Sequence, residues 1–145
     1  MGKGDEARRL FMDGRNCAQS VAAAFAEEMG MPAAQVERLM AGFGAGVGRM
    51  REVCGTVLGM TFVISALYEG DKGATYARVQ EVAGEFRERS GSIVCRELLG
   101  LDGAGPDSPV PQERTREYYE SRPCPELVGR AAEILERYLA ENPPA

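Results

Sequence analysis

With 145 residues, of which 44% are hydrophobic and 27% charged, the chain has the size and composition of a globular domain that can bury a core. Its 17 basic and 22 acidic residues give a net charge of −5, which argues against nucleic-acid binding and against a polybasic membrane contact. The absence of histidine excludes Ser-His and Cys-His nucleophile pairs and every haem or zinc site that needs an imidazole.

The first third of the chain predicts three helices from the spacing of its apolar residues. Asn16 is a good N-cap for the second of these helices, and Gly30 is its stop signal. Pro32 can begin the third helix. The three apolar stripes consist of Ala7, Leu10 and Phe11, then Val21, Ala22, Phe25 and Met29, then Val36, Leu39 and Met40.

Residues 41–49 carry glycine at alternate positions, a pattern that does not hold a regular helix. A fourth helix, from about Cys54 to Tyr68, is apolar nearly all round, which is typical of a helix in the centre of a bundle. Gly55 and Gly59 on this helix leave room for a neighbour to pack closely. The apolar stretch is too short and too broken by glycine to span a bilayer comfortably, so we expect no membrane insertion.

The next segments predict a long helix, a short helical turn and a loop. Asp71 can cap the long fifth helix, and the turn is expected from Cys95 to Leu99. Residues 100–111 are rich in glycine, proline and aspartate, which predicts a loop. Because it lies inside the chain, we interpret this loop as a flap or surface excursion rather than a domain linker. The stripe on the fifth helix consists of Tyr76, Val79, Val82, Ala83 and Phe86.

The C-terminal part predicts a short helix over 114–119 and a last helix opened by Ser121 and Pro123. No stretch shows sustained alternation with a period of two, so no strand is expected. The predicted fold class is therefore all-α, a compact multi-helix bundle around the central apolar helix, with residues 1–145 forming one domain. The last apolar stripe consists of Leu127, Val128, Ala131, Ile134, Leu135, Tyr138 and Leu139.

The chain has four cysteines, Cys17, Cys54, Cys95 and Cys124, and each falls at a predicted helix N-terminus. A free cysteine is most often a small buried apolar residue, so four unrelated core cysteines is the plainest interpretation of the count. Their placement favours a shared site instead, because a helix N-terminus offers unpaired N–H groups and a partial positive charge that favour thiolate. An arginine lies near each cysteine in the sequence: Arg15, Arg51, Arg96 and Arg122.

The spacing of the cysteines argues against several common types of cysteine site. No C-x-x-C pair is present, which argues against a thioredoxin-like dithiol, a zinc ribbon, a ferredoxin run and an attached c-type haem.

Residues 1–9 are charged and contain no apolar run, so we expect no signal peptide and a cytoplasmic location. In a reducing compartment, cysteines indicate metal binding or thiol chemistry more than structural disulfides.

Five segments along nearly the whole chain match one family pattern. They are Asn16-Cys17-Ala18-Gln19, Gly42-Phe43-Gly44 with Gly48-Arg49, Glu52-Val53-Cys54-Gly55-Thr56-Val57-Leu58-Gly59, Cys95-Arg96-Glu97-Leu98-Leu99-Gly100, and Cys124. With these segments the chain resembles the C_GCAxxG_C_C family of proteins described as redox-active. The resemblance implies a redox role in which the four cysteines are the working residues. One departure is Thr56, which places a hydroxyl near the site where the family usually has alanine.

The family is also similar to the non-haem part of split-Soret cytochromes, which implies an iron–sulfur cluster and a homodimer. Our first hypothesis is that Cys17, Cys54, Cys95 and Cys124 bind one [2Fe–2S] or [4Fe–4S] cluster and exchange electrons with a redox partner protein. Such a protein need not be an enzyme, and no residue is assigned as a general acid or base.

Two alternatives stay open. A metal-free thiol–disulfide protein has three possible pairings, and a structural zinc site with four cysteine ligands usually needs close cysteine pairs that this chain lacks.

Overall fold

The computed structural model describes residues 2–101, 103 and 105–145. Over these residues the fold is all-α, with no β-strand beyond one isolated bridge, which confirms the predicted fold class. A 3₁₀ turn, Ala41–Phe43, precedes α5. The described helices are α1 (Lys3–Met12), α2 (Cys17–Ala23), α3 (Ala26–Met29), α4 (Ala33–Leu39), α5 (Gly44–Val47), α6 (Gly55–Leu67), α7 (Lys72–Ser90), α8 (Cys95–Leu98), α9 (Arg116–Ser121) and α10 (Cys124–Glu141).

Helix α6 lies in the middle of the bundle and contacts α2, α7 and α10. Its inward side chains, Met60, Val63 and Ile64, are fully buried. On its other side Leu58 and Phe62 are only half-buried. The predicted central helix is therefore correct in position, but one of its apolar edges is covered only in part by this chain.

Helix α2 crosses α6 at the two glycines of α6. A Cβ atom at Gly55 would lie 2.5 Å from the Cys17 sulfur, and one at Gly59 would lie 2.9 Å from the Val21 Cβ. Both distances are shorter than van der Waals contact, so only glycine permits the helices to approach this closely. The neighbour expected at these glycines is thus α2 of the same chain. Their approach carries Cys17 to the N-terminus of α6.

Helix α10 closes the bundle by packing along α1 and against α7. Its predicted apolar stripe is confirmed, since Leu127, Val128, Ala131, Ile134 and Leu135 are buried. Among the helices that the structure describes, none combines the length and apolar character needed to cross a membrane.

The predicted second helix is in fact two helices. Its beginning is as expected, because Asn16 Oδ1 accepts the Gln19 N–H at 2.9 Å and Gln19 Oε1 accepts the Asn16 N–H at 3.0 Å. The helix then breaks at Phe25, whose φ of −108° and ψ of 15° lie outside the helical region. The Phe25 side chain is buried in the core, and this packing overrides the helical spacing of the sequence. Gly30 ends α3 in the left-handed conformation, as predicted.

Three smaller predictions were wrong in detail. Tyr76 is 60% exposed rather than part of the apolar stripe, because the first turns of α7 lie in solvent. Leu39, at the end of α4, is 49% exposed. The helix expected over 114–119 begins two residues later, because Thr115 takes the N-cap position and its Oγ1 accepts the Tyr118 N–H at 3.1 Å.

Candidate functional site

Each cysteine lies where a helix begins, as the sequence predicts. Cys17, Cys95 and Cys124 are the first residues of α2, α8 and α10, and Cys54 is the N-cap of α6. All four are free thiols, of which Cys124 is half-buried and the others are buried. All four line a single cavity of about 350 Å³, which we call the cysteine cavity. The fold thus brings together cysteines that are far apart in the sequence.

One antiparallel bridge sets Cys54 beside Cys95. The Cys54 N–H donates to the Ile93 carbonyl at 2.7 Å, and the Cys95 N–H donates to the Glu52 carbonyl at 2.6 Å. These two bonds pair the segments that lead into α6 and α8. Sequence reasoning missed this contact, because a pairing of so few residues leaves no alternating pattern to detect.

The glycine-rich segment approaches the cysteines in a left-handed conformation. A Cβ atom at Gly46 would lie 2.6 Å from the Arg51 Cα and 2.7 Å from the Cys95 Cβ. The segment therefore packs directly on the site, and α5 is not a regular right-handed helix, in agreement with the sequence. Within residues 41–49, positive φ values between 56° and 72° occur at Ala45, Gly46, Val47, Gly48 and Arg49. Side-chain-bearing residues adopt this region at a cost, which only a strongly constrained surrounding structure can sustain.

Cys17 and Cys54 form a hydrogen-bonded thiol pair. The Cys54 thiol donates to the Cys17 sulfur and lowers the pKa of Cys17 to about 6, with further lowering by the backbone N–H groups of Ala45 and Ala18. Burial opposes this shift but does not outweigh it. The same contact, followed by burial, raises the pKa of Cys54 well above its ordinary value. Of the two thiols, Cys17 is therefore the more acidic and loses its proton first.

Cys95 and Cys124 are neutral thiols at pH 7. Burial raises the pKa of Cys95, and Arg51, whose Nη1 lies 3.6 Å from the Cys95 sulfur, offsets part of this rise. Burial raises the pKa of Cys124 to about 12, and repulsion from the ionised forms of Cys17 and Cys95 adds to the rise. Binding a metal at these two residues would release their protons.

Arg51 connects Cys95 to the predicted flap. Its side chain is 7% exposed, and its Nε donates to Asp107 Oδ2 at 2.7 Å while Nη1 contacts the Cys95 sulfur. The sequence placed Arg51 next to Cys54, but the bridge between the two segments turns it toward Cys95 instead. The partner of this arginine therefore depends on tertiary structure rather than on sequence distance.

Residues 105–111 of the predicted loop lie against the cysteine cavity, in agreement with its interpretation as a flap. The Arg49 Nε donates to the Ser108 carbonyl at 2.7 Å, and Pro109 and Pro111 line the cavity. Asp102 and Ala104 of the predicted loop lie outside the described residues.

Only part of the arginine pattern in the sequence belongs to the site. Arg51 and Arg122 line the cysteine cavity, whereas Arg15 and Arg96 form ion pairs and are not among its lining residues. Sequence reasoning missed Arg114, which lines the cavity and donates to the backbone carbonyls of Phe11 and Arg15, both at 2.9 Å. No local signal could have indicated this contact, because its acceptors lie at the other end of the chain.

Residues 15–138 match the sequence model of a protein family described as "Putative redox-active protein (C_GCAxxG_C_C)". The match covers most of the chain and includes all four cysteines. The chain belongs to this family. Comparison with curated proteins and with solved structures gave no match. Membership in the C_GCAxxG_C_C family confirms the resemblance noted in the sequence and assigns the chain to a redox-active class.

Zinc ions and iron–sulfur clusters are the two metal groups considered for the four thiols of this C_GCAxxG_C_C protein. Over the residues that the structure describes, no three Cys, Asp or Glu side chains are gathered closely enough for a single metal ion. A zinc site with four cysteine ligands needs all four sulfurs at about 2.3 Å from one ion, so the arrangement does not fit it. An iron–sulfur cluster distributes its thiolates over several irons and so accepts sulfurs that are farther apart. The four thiols of this chain line one cavity.

Proposed function

We propose that this protein transfers electrons through an iron–sulfur cluster held by Cys17, Cys54, Cys95 and Cys124. The observation that carries the proposal is that all four thiols line the same cavity of about 350 Å³. Thiolate sulfur is the ordinary ligand of such clusters. Four cysteines that served only as core residues would have no reason to face one cavity.

The charged groups of the cysteine cavity also favour an anionic occupant. Its lining includes Arg49, Arg51, Arg114 and Arg122, and no described Asp or Glu side chain. A cluster with four thiolate ligands carries a net negative charge, which these cations would stabilise. When bound, the cluster supplies one-electron transfer. The chain itself holds the cluster, limits its contact with water and sets the charge around it.

The test is anaerobic purification followed by reconstitution with iron and sulfide. We expect brown protein with stoichiometric iron and acid-labile sulfide, and a marked loss of both in Cys54→Ser and Cys95→Ser. Ser65→Ala, an exposed site on α6, is the matched control and should keep the wild-type content. Colourless protein without iron or sulfide after reconstitution would refute the cluster.

The hydrogen-bonded pair Cys17–Cys54 favours a second candidate, a metal-free thiol–disulfide protein. The Cys17 thiolate would attack a small disulfide such as oxidised glutathione, and the Cys54 thiol would then displace the bound half. Two protein thiols lose two electrons and two protons, and the oxidant becomes two thiols. The contact favours a disulfide between these two cysteines.

Thiol counting and peptide mapping after exposure of the metal-free protein to oxidised glutathione test this candidate. We expect two thiols to disappear and Cys17 to be linked to Cys54. Cys124→Ser should form the same link, whereas Cys17→Ser should not. An unchanged thiol count, or a link between other cysteines, would argue against it.

Electron transfer through a cluster requires a redox partner protein, and the resemblance to split-Soret cytochromes favours a homodimer. Gly55 and Gly59 are covered by α2, so they do not offer a second copy an open glycine face. The half-buried Leu58 and Phe62 leave an apolar edge of α6 as the surface for such contact. A native mass of twice that of the chain is expected, and a monomeric mass would contradict the dimer.

A further inference from the structure

We infer that Thr56 is a positioning residue that sets the reduction potential of the cysteine site through a hydrogen bond to the Cys54 sulfur. This inference deepens the proposed function and rests on it. The Thr56 Oγ1 lies 3.1 Å from the Cys54 Sγ. The residue is 1% exposed and lines the cysteine cavity, so water does not compete for the contact.

The direction of this bond follows from the state of the Cys54 sulfur when it binds a cluster. A ligating thiolate carries no proton, so the Cys54 sulfur can only accept and the Thr56 hydroxyl must donate.

The position of Thr56 in α6 explains why its hydroxyl is available for sulfur. Threonine within a helix usually donates to the carbonyl one turn earlier, as Thr61 does to the Val57 oxygen at 2.8 Å. Thr56 is the second residue of α6, so no helical turn precedes it. Within the described part of the chain its hydroxyl has the Cys54 sulfur as its partner. Thr61 therefore provides a matched hydroxyl on the same helix that serves only the backbone.

The bond favours the reduced state in either proposed chemistry. A reduced cluster carries an added electron, and the Cys54 sulfur of an opened disulfide accepts a hydrogen bond better than a disulfide sulfur does. The Thr56 hydroxyl therefore stabilises the reduced form, and losing it should make the site a stronger reductant. For the Cys17–Cys54 pair we expect a roughly three- to tenfold shift of the glutathione equilibrium toward the disulfide, the size that one hydrogen bond produces.

The experiment compares wild type with Thr56→Val, Thr56→Ser and Thr61→Val. Valine keeps the shape of threonine without the hydroxyl, and serine keeps the hydroxyl without the methyl. The readouts are the midpoint potential of the reconstituted protein and the thiol–disulfide equilibrium of the metal-free protein in glutathione buffers. We expect a lower potential in Thr56→Val only, with wild-type values in Thr56→Ser and Thr61→Val.

Equal potentials in wild type and Thr56→Val would overturn the inference. A shift that also occurs in Thr61→Val would overturn it too, because it would report helix packing rather than the sulfur contact. If Thr56→Val does not fold, Thr56→Ala removes the same hydroxyl with a smaller side chain and replaces it. A wild-type protein that neither takes up iron and sulfide nor forms the disulfide would refute the proposed function, and the inference with it.

Discussion

Cys17 is the residue whose pKa and reactivity depend most on its neighbours. Its pKa is about 6 because Cys54 donates to it, and alkylation requires the thiolate. In metal-free protein the rate of Cys17 alkylation by iodoacetamide should therefore rise with pH around a midpoint near 6, as followed by mass spectrometry. Cys54→Ala should move this midpoint up toward the ordinary thiol value of about 8.5. A wild-type midpoint already near that value would contradict the proposed pair.

Two left-handed glycines of the same segment differ only in the space around them. A Cβ atom at Gly46 would lie 2.6 Å from backbone atoms of Arg51 and Glu52, whereas one at Gly48 would have its nearest neighbour, the Gly42 oxygen, at 3.8 Å. Gly48→Ala should cost about 1 kcal/mol of unfolding free energy, the price of a left-handed alanine. Gly46→Ala should cost roughly 2–4 kcal/mol, because steric overlap is added. Urea denaturation measures both, and equal losses would mean that Gly46 does not pack on the site.

Local signals in the sequence were sufficient to predict most of the helices. Asn16 and Asp71 each accept a backbone N–H at a helix start, and such caps depend on a few adjacent residues. The placement of the cysteines at helix starts could be predicted for the same reason. The break at Phe25 could not, because it depends on how that ring packs in the core. The contact of Arg51 with Cys95 could not either, since it requires a bridge between distant segments.

The caps of α2 and α7 allow the structural and functional roles of a helix start to be separated. Asn16 caps α2, and its Nδ2 also donates to the Ala41 carbonyl at 3.0 Å, which ties Cys17 to the glycine-rich segment. Asp71 caps α7, and its Oδ1 accepts the Ala74 N–H at 2.9 Å. Asn16→Ala and Asp71→Ala should each lower the unfolding free energy by about 1 kcal/mol.

Only the first of these variants should change the chemistry of the site. Asn16→Ala should alter the rate of Cys17 alkylation at pH 7, because it loosens the start of α2. Asp71→Ala should leave that rate unchanged, since Asp71 is not among the residues that line the cysteine cavity. Equal effects of the two variants on alkylation would show that general stability, not local geometry, controls Cys17.

At the scale of the whole molecule, the charge around the cysteine cavity is opposite in sign to the net charge of the chain. The chain carries a net charge of −5, yet the cysteine cavity is lined by four arginines and by no described carboxylate. The net charge argues against nucleic acid as a partner, but it could not indicate the cationic cavity. That feature arises only when Arg114 and Arg122, near one end, fold against Arg49 and Arg51, near the middle.

The flap over residues 100–111 is held to this cavity by the ion pair between Arg51 and Asp107. Asp107 is 45% exposed, so Asp107→Ala should change the global stability little. It should nevertheless raise the rate of Cys95 alkylation, because the flap then opens more often over the buried sulfur. Glu120→Ala, which removes the exposed pair with Arg116 on α9, is the matched control and should leave the rate unchanged.

The pH dependence of flap opening provides an independent check on the same ion pair. Arg51 lowers the pKa of Asp107 below its ordinary value. A carboxylate with a depressed pKa contributes its contact above its ordinary pKa and loses the contact as the pH falls through the depressed value. Hydrogen exchange of the flap amides should therefore show no excess opening until the pH falls below the usual aspartate range. In Asp107→Ala the flap should open equally at every pH, and an acid-dependent opening that persisted in this variant would assign the effect to another group.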